Sequence, residues 1–100
     1  GDMIISGGEN VYPKEVELCL DSAPGIVESA VVGAEDDDLG EEVVAFIVAS
    51  SALDLDLVRS HLQASLARFK HPRRYEVVQD LPRNAMGKVQ KSQLRAQLHP

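Results

Sequence analysis

Met3-Ile4-Ile5 forms a short apolar, extended segment that runs into Gly7-Gly8, a pair suited to a tight turn. Pro13 fits a first helical position, and Val16, Cys19 and Leu20 then share one helical face as far as Ser22. Pro24-Gly25 breaks the pattern. Ile26 to Gly33 reads as a strand, with Val27, Ser29 and Val31 on one face and Ile26, Glu28, Ala30 and Val32 on the other. Val43 to Val48 is apolar without alternation, which predicts a central strand covered on both faces. The acidic connector 35–40 would join these two strands as a hairpin pair. Asp54 or Asp56 can cap the next helix, in which Val58, Leu62, Leu66 and Phe69 recur at helical spacing until His71-Pro72 stops it. Arg74 to Val78 predicts a third strand, and Ser92 to Leu98 a short helix with Leu94 and Leu98 inward. The sum is an α+β fold: a small three-stranded sheet with helices packed against it, plus an N-terminal β arm.

Residues 1–100 read as a single domain, with no repeat or internal linker, and 44% apolar residues suffice for one modest core. No run approaches the roughly 18–20 apolar residues of a membrane helix. Cys19 is the only cysteine, which excludes an intramolecular disulfide and fits a reducing compartment such as the cytoplasm. His61, His71 and His99 stand at no ligand spacing, so no metal site is expected. The net charge of −6 argues against general nucleic-acid binding. It is unevenly spread: residues 1–67 carry 14 acidic and 2 basic side chains, residues 68–100 carry 2 acidic and 8 basic. The basic third either balances the acidic part as surface charge or holds a small polyanion such as a nucleotide phosphate.

The chemistry concentrates in Pro82-Arg83-Asn84-Ala85-Met86-Gly87-Lys88. Proline ends the preceding apolar run, and Asn84 and Gly87 both tolerate unusual backbone dihedrals, which puts Lys88 at a turn. A Walker A loop would need glycine at Pro82 and Ser or Thr at Val89, so that reading fails. A projecting ammonium can bridge a carboxylate nucleophile and phosphoryl oxygens and hold them in line. The second stretch of interest is Ser6-Gly7-Gly8-Glu9-Asn10-Val11-Tyr12-Pro13-Lys14-Glu15-Val16-Glu17, whose glycines permit close backbone approach by a ligand.

Together the two stretches resemble the closing motifs of the adenylate-forming acyl- and aryl-CoA synthetases, in the small C-terminal domain of that family's CoA-ligase branch. PRNAMGKVQK is similar to malonyl-type ligases, and DMIISGGEN to chlorobenzoate-type ligases. The resemblance implies an ATP-, Mg2+- and CoA-dependent acid–thiol ligase, working on a carboxylic acid together with a large N-terminal domain that this chain does not include. It makes Lys88 the adenylation lysine and the loop Gly7, Gly8, Glu9 and Asn10 the lining of the pantetheine tunnel. Asp2 matches the hinge about which the small domain swings. Phe69, His71 and Arg73 match positions that contact the CoA nucleotide, although His71 replaces an arginine found in a relative. Leu39 likewise stands where one relative has tryptophan. Similar lysines are acetylated in bacterial members, which makes a protein acetyltransferase acting on Lys88 a further expected partner. Two other readings stand beside it: an adenylation domain loading a carrier protein, against which ENVYPKEVE argues, and a non-catalytic module of the same fold, which the extent of the upstream reading frame would distinguish.

Overall fold

The computed structural model describes residues 2–98; His99, weighed above as a metal ligand, lies outside them. Strand β1 (Ile4–Ser6) and β2 (Glu9–Val11) form a hairpin, followed by helix α1 (Pro13–Asp21). Long strands β3 (Ile26–Asp36) and β4 (Gly40–Ala49) come next, then α2 (Leu55–Ser65), strand β5 (Arg74–Val78) and α3 (Lys91–Ala96). β4 lies between β3, with which it pairs antiparallel, and β5, with which it pairs parallel. The expected three-stranded sheet and N-terminal arm are both present. The arm joins the sheet through one register pair, Ser6 with Gly40.

Pleating assigns the core to two faces of this sheet. Val31, Val43, Ala45 and Ile47 face α1 and α2, where Val16, Leu20, Val58 and Leu62 complete a fully buried layer. Ala30, Val32, Ala34, Val44 and Phe46 face the other way, against Leu81 and α3's Leu94. That double cover explains why Val43–Ile47 shows no alternation in the sequence. The same cover reaches β3 from Ala30 to Ala34, where every residue is buried despite an alternating start.

Two local expectations change, and one open choice is settled. The acidic connector shrinks to a tight turn: Asp36 pairs with Gly40, and the Asp36 carboxylate accepts from the backbone N–H of Asp38 and Leu39. Gly40 takes φ 81°, the left-handed conformation such a turn requires. The N-cap of α2 is Asp54, whose side chain accepts from Asp56 N–H. Finally, α2 ends before the periodicity does. Leu66 is extended, and Phe69 sits in a separate 3-10 turn, Arg68–Lys70. The Leu66 carbonyl, released from the helix, accepts a 2.8 Å hydrogen bond from His71 Nε2. Leu66 remains buried, so its helical spacing reported burial correctly and secondary structure wrongly.

One side chain ties three elements together. Glu17 on α1 accepts from the backbone N–H of Val31 at 2.8 Å and pairs with Lys91 of α3 at 2.9 Å. Both charged side chains are less than one-fifth exposed. Removing the carboxylate leaves a partly buried N–H unmet, so Glu17→Ala should lower the unfolding free energy of the chain by about 1–3 kcal/mol in urea titration. Glu17→Gln retains an acceptor and should cost less. Equal midpoints for wild type and Glu17→Ala would contradict this account.

Candidate functional site

The Lys88 loop is a short hairpin closed by a bridge between Arg83 and Val89. Asn84 N–H donates to the Lys88 carbonyl at 3.0 Å, and Gly87 N–H to the Asn84 carbonyl at 2.9 Å. Asn84 keeps negative φ; its contribution comes from the side chain, whose Oδ1 accepts from the N–H of both Met86 and Lys88. Only Gly87, at φ 85°, uses the left-handed freedom that both residues allow. Gln90 Nε2 donates to the Lys88 carbonyl at 2.8 Å. The backbone of Lys88 is thus held from both sides while its side chain is exposed.

Gly7 and Gly8 form the two-residue turn of the β1–β2 hairpin, with φ 58° and 81°. Gly7 N–H donates to the Leu39 carbonyl, which docks this turn against the β3–β4 turn. A Cβ on Gly7 would meet Leu39 Cδ2 at 3.3 Å, whereas one on Gly8 would have nothing within 4 Å. Gly8 therefore faces open space.

Beside this turn lies a groove of about 790 Å³, within the size range of small-molecule sites. Of the residues expected to bind CoA, it brings together Gly7, Glu9, Phe69, His71 and Arg73, with Leu39. Gly8 and Asn10 stand beside it on the same hairpin without lining it. The groove also contains Arg59, Gln63 and Arg68, which the sequence reading missed. Arg59 and Gln63 are four residues apart on α2, next to buried Val58 and Leu62; that spacing was the available signal. Arg59 stacks over the ring of Tyr75 at 5.4 Å from its centroid. Burial pushes the Tyr75 phenol above its usual range, so it stays protonated at neutral pH.

The charge asymmetry resolves into two classes. Lys70 pairs with Glu15, Arg74 with Glu42 and Glu76, Arg83 with Glu28, and Lys91 with Glu17 and Asp2. Those four cations balance the acidic part. Among the described residues of the basic third, Arg68, Arg73, Lys88 and Arg95 have no ion-pair partner, and the first two line the groove. The His71 ring spends its Nε2 on the Leu66 carbonyl, leaving Nδ1 as its only other polar atom. Asp2 is half-exposed and reaches Lys91 at 3.2 Å.

Groove and lysine loop are far apart. Arg73 N–H bonds the Val43 carbonyl, whereas the loop is tied to Glu28, which pairs with Val48. Five residues of β4 separate them, about 17 Å. They also lie on opposite sheet faces: Leu66 and Tyr75 belong to the layer under α1 and α2, Leu81 and Val89 to the layer under α3.

Residues 15–88 match the AMP-binding enzyme C-terminal domain family, three-quarters of the chain, from α1 through Lys88; the Gly7–Gly8 turn precedes the matched residues. The chain belongs to that family. This AMP-binding C-terminal domain is 49% identical over 98 residues to 4-chlorobenzoate–CoA ligase from Arthrobacter sp., covering 97% of the chain and 19% of that enzyme. It is 43% identical over 94 residues to 2-succinylbenzoate–CoA ligase from Listeria monocytogenes, covering 94% of the chain and 20% of that enzyme. Among solved structures, ATP-bound MatB from Rhodopseudomonas palustris superposes with a TM-score of 0.90 at 48% identity, over 96% of the chain and 20% of that structure. The domain thus spans about one-fifth of the length of these relatives. Among its described residues no helix is long and apolar enough to cross a membrane.

Proposed function

We propose that this chain is the mobile C-terminal domain of an AMP-forming carboxylic acid:CoA ligase. It occupies residues 1–100 and works with a large N-terminal domain that holds most of the ATP and acyl pockets. The observation that carries the reading is the separation of two sites on one small domain. A lysine loop and a basic groove on opposite sheet faces cannot address one reaction centre at once, but they can address it in turn if the domain swings.

In the first half-reaction a carboxylate oxygen attacks the α-phosphorus of ATP, and pyrophosphate leaves. Lys88 bridges the attacking carboxylate and the phosphoryl oxygens, where negative charge gathers. Mg2+ would accompany the phosphates and neutralise part of their charge; it is assigned to no residue of this chain. In the second half-reaction the CoA sulfur attacks the acyl carbon, and AMP leaves. Gly8, flanked by Gly7, Glu9 and Asn10, allows pantetheine to pass close to the backbone. Phe69, His71 and Arg73 hold the nucleotide end, and the unpaired Arg68 adds a phosphate partner. Asp2 is the hinge, at the edge of the domain and free to exchange Lys91 for another partner.

The test is to assay the full-length protein with a panel of acids for acid-dependent pyrophosphate release and CoA-dependent thioester formation. No pyrophosphate release with any malonyl-type, aryl or fatty acid would end the proposal. A cytoplasmic location follows from the supply of ATP and CoA and from the free thiol of Cys19. The exposed, unpaired amine of Lys88 is also open to a protein acetyltransferase, which would remove its charge. Acetyltransferase treatment followed by mass spectrometry should find the modification at Lys88, and an unmodified Lys88 would exclude it.

A further inference from the structure

Arg83 is five residues before the lysine and 55 residues after Glu28, yet it joins them. Its Nη1 and Nη2 donate to Glu28 Oε1 and Oε2 at 3.2 and 2.7 Å, a two-pronged contact with the carboxylate. Its remaining Nε–H donates to the Gly87 carbonyl at 3.1 Å, on the peptide immediately before Lys88. Glu28 sits in β3 directly opposite Val48 of β4, so the carboxylate is carried by the sheet itself. The chain of contacts runs from the sheet through one planar guanidinium to the peptide that orients the lysine.

We propose that Glu28, acting through Arg83, is a positioning residue for Lys88: it fixes the loop on the sheet so that the ammonium enters the reaction centre at a set place.

This rests on the adenylation role given to Lys88 above. The contact is poorly suited to a role in stability. The side chains are 41% and 32% exposed, a setting in which ion pairs contribute little to folding. Its geometry is specific all the same. Lysine at 83 could keep the charge but not three fixed donors, and no other side chain donates to the Gly87 carbonyl among the described residues. The Arg83 hydrogen bond holds the Glu28 carboxyl below the usual carboxylate range, so it is ionised throughout the neutral region. Asp80 also acts on Arg83, but it lies on the loop's own segment and gives no anchorage to the sheet.

The experiment compares Glu28→Ala, Glu28→Gln, Arg83→Lys and Lys88→Ala in the full-length protein. Three quantities are read: kcat for pyrophosphate release, KM for ATP, and the rate of thioester formation from added synthetic acyl-adenylate. Glu28→Ala and Arg83→Lys should each lower the adenylation kcat about tenfold, as expected of a modest misplacement of a reacting group. KM for ATP, the thioester rate and the melting temperature should stay near wild type. Glu28→Gln, which keeps one acceptor, should fall between. An adenylation kcat within twofold of wild type in Glu28→Ala and Arg83→Lys, beside a strong loss in Lys88→Ala, overturns the positioning role alone. Equal losses in both half-reactions also overturn it, since they mark general structural damage. If Lys88→Ala itself adenylates at the wild-type rate, the reading of Lys88 fails and the positioning role falls with it.

Discussion

Lys88→Ala in the full-length protein is expected to slow acyl-adenylate formation by on the order of 10²–10³, the usual cost of removing one preorganised partner of developing charge. The loop's backbone is fixed by Asn84, Gln90 and the Arg83–Val89 bridge, none of which involves the lysine side chain. The substitution should therefore leave the fold intact, and the lost rate should belong to the ammonium. Thioester formation from supplied acyl-adenylate should be nearly unaffected, because the groove lies on the other face of the sheet. Pyrophosphate release measured under saturating acid and ATP checks the first statement. The same variant given synthetic adenylate and CoA checks the second. Undiminished pyrophosphate release would remove Lys88 from the mechanism.

The second large effect is expected at Gly8, in the opposite half-reaction. Gly8→Val should depress thioester formation by on the order of 10², the scale of loss when a reacting group is displaced by about an ångström. Adenylate formation should be spared. A valine Cβ would touch nothing within the domain, so any obstruction is felt by what approaches from outside. Backbone strain is a separate contribution, because φ of 81° is unfavourable for a β-branched residue. Gly8→Asn separates the two. Asparagine tolerates the left-handed conformation but still presents a side chain, so thioester formation should remain impaired if passage of pantetheine is the cause. Recovery to the wild-type rate in Gly8→Asn would make strain the whole effect. Pyrophosphate release falling as far as thioester output would contradict the assignment.

How much of this could be read beforehand depended on the range of the interactions. Turns are set by neighbours, and the Gly7-Gly8 turn, the Pro24-Gly25 break and the Lys88 turn all stand where their residue types put them. Strand pairing was also legible, because the unbroken apolar run from Val43 to Ile47 has one economical home, between two packed layers. Phe69 shows where periodicity misleads. Its spacing after Leu62 and Leu66 is helical, yet the helix had already ended, since Leu66 stays buried equally well from an extended backbone.

The candidate site was legible as separate pieces and not as a place. Glu9, Leu39, Phe69 and Arg73 are distant in sequence, and long-range contacts such as the Gly7–Leu39 and Arg73–Val43 backbone bonds bring them around one groove. The basic third posed a similar problem. Which of its cations were free depended on carboxylates such as Glu15, Glu17 and Glu28, contributed by α1 and β3. No property of Arg68 or Arg83 alone distinguishes the unpaired from the paired.

Glu17 has a consequence beyond the elements it ties together. β3 is the outermost strand on its side, and a bare strand rim offers donors to which a second molecule can add its own strand. By occupying the Val31 N–H, the carboxylate takes away a donor midway along that rim and puts charge where an intruding backbone would have to lie. The same group that links α1 to the sheet thereby leaves one fewer free donor on that edge for the strand of a second copy.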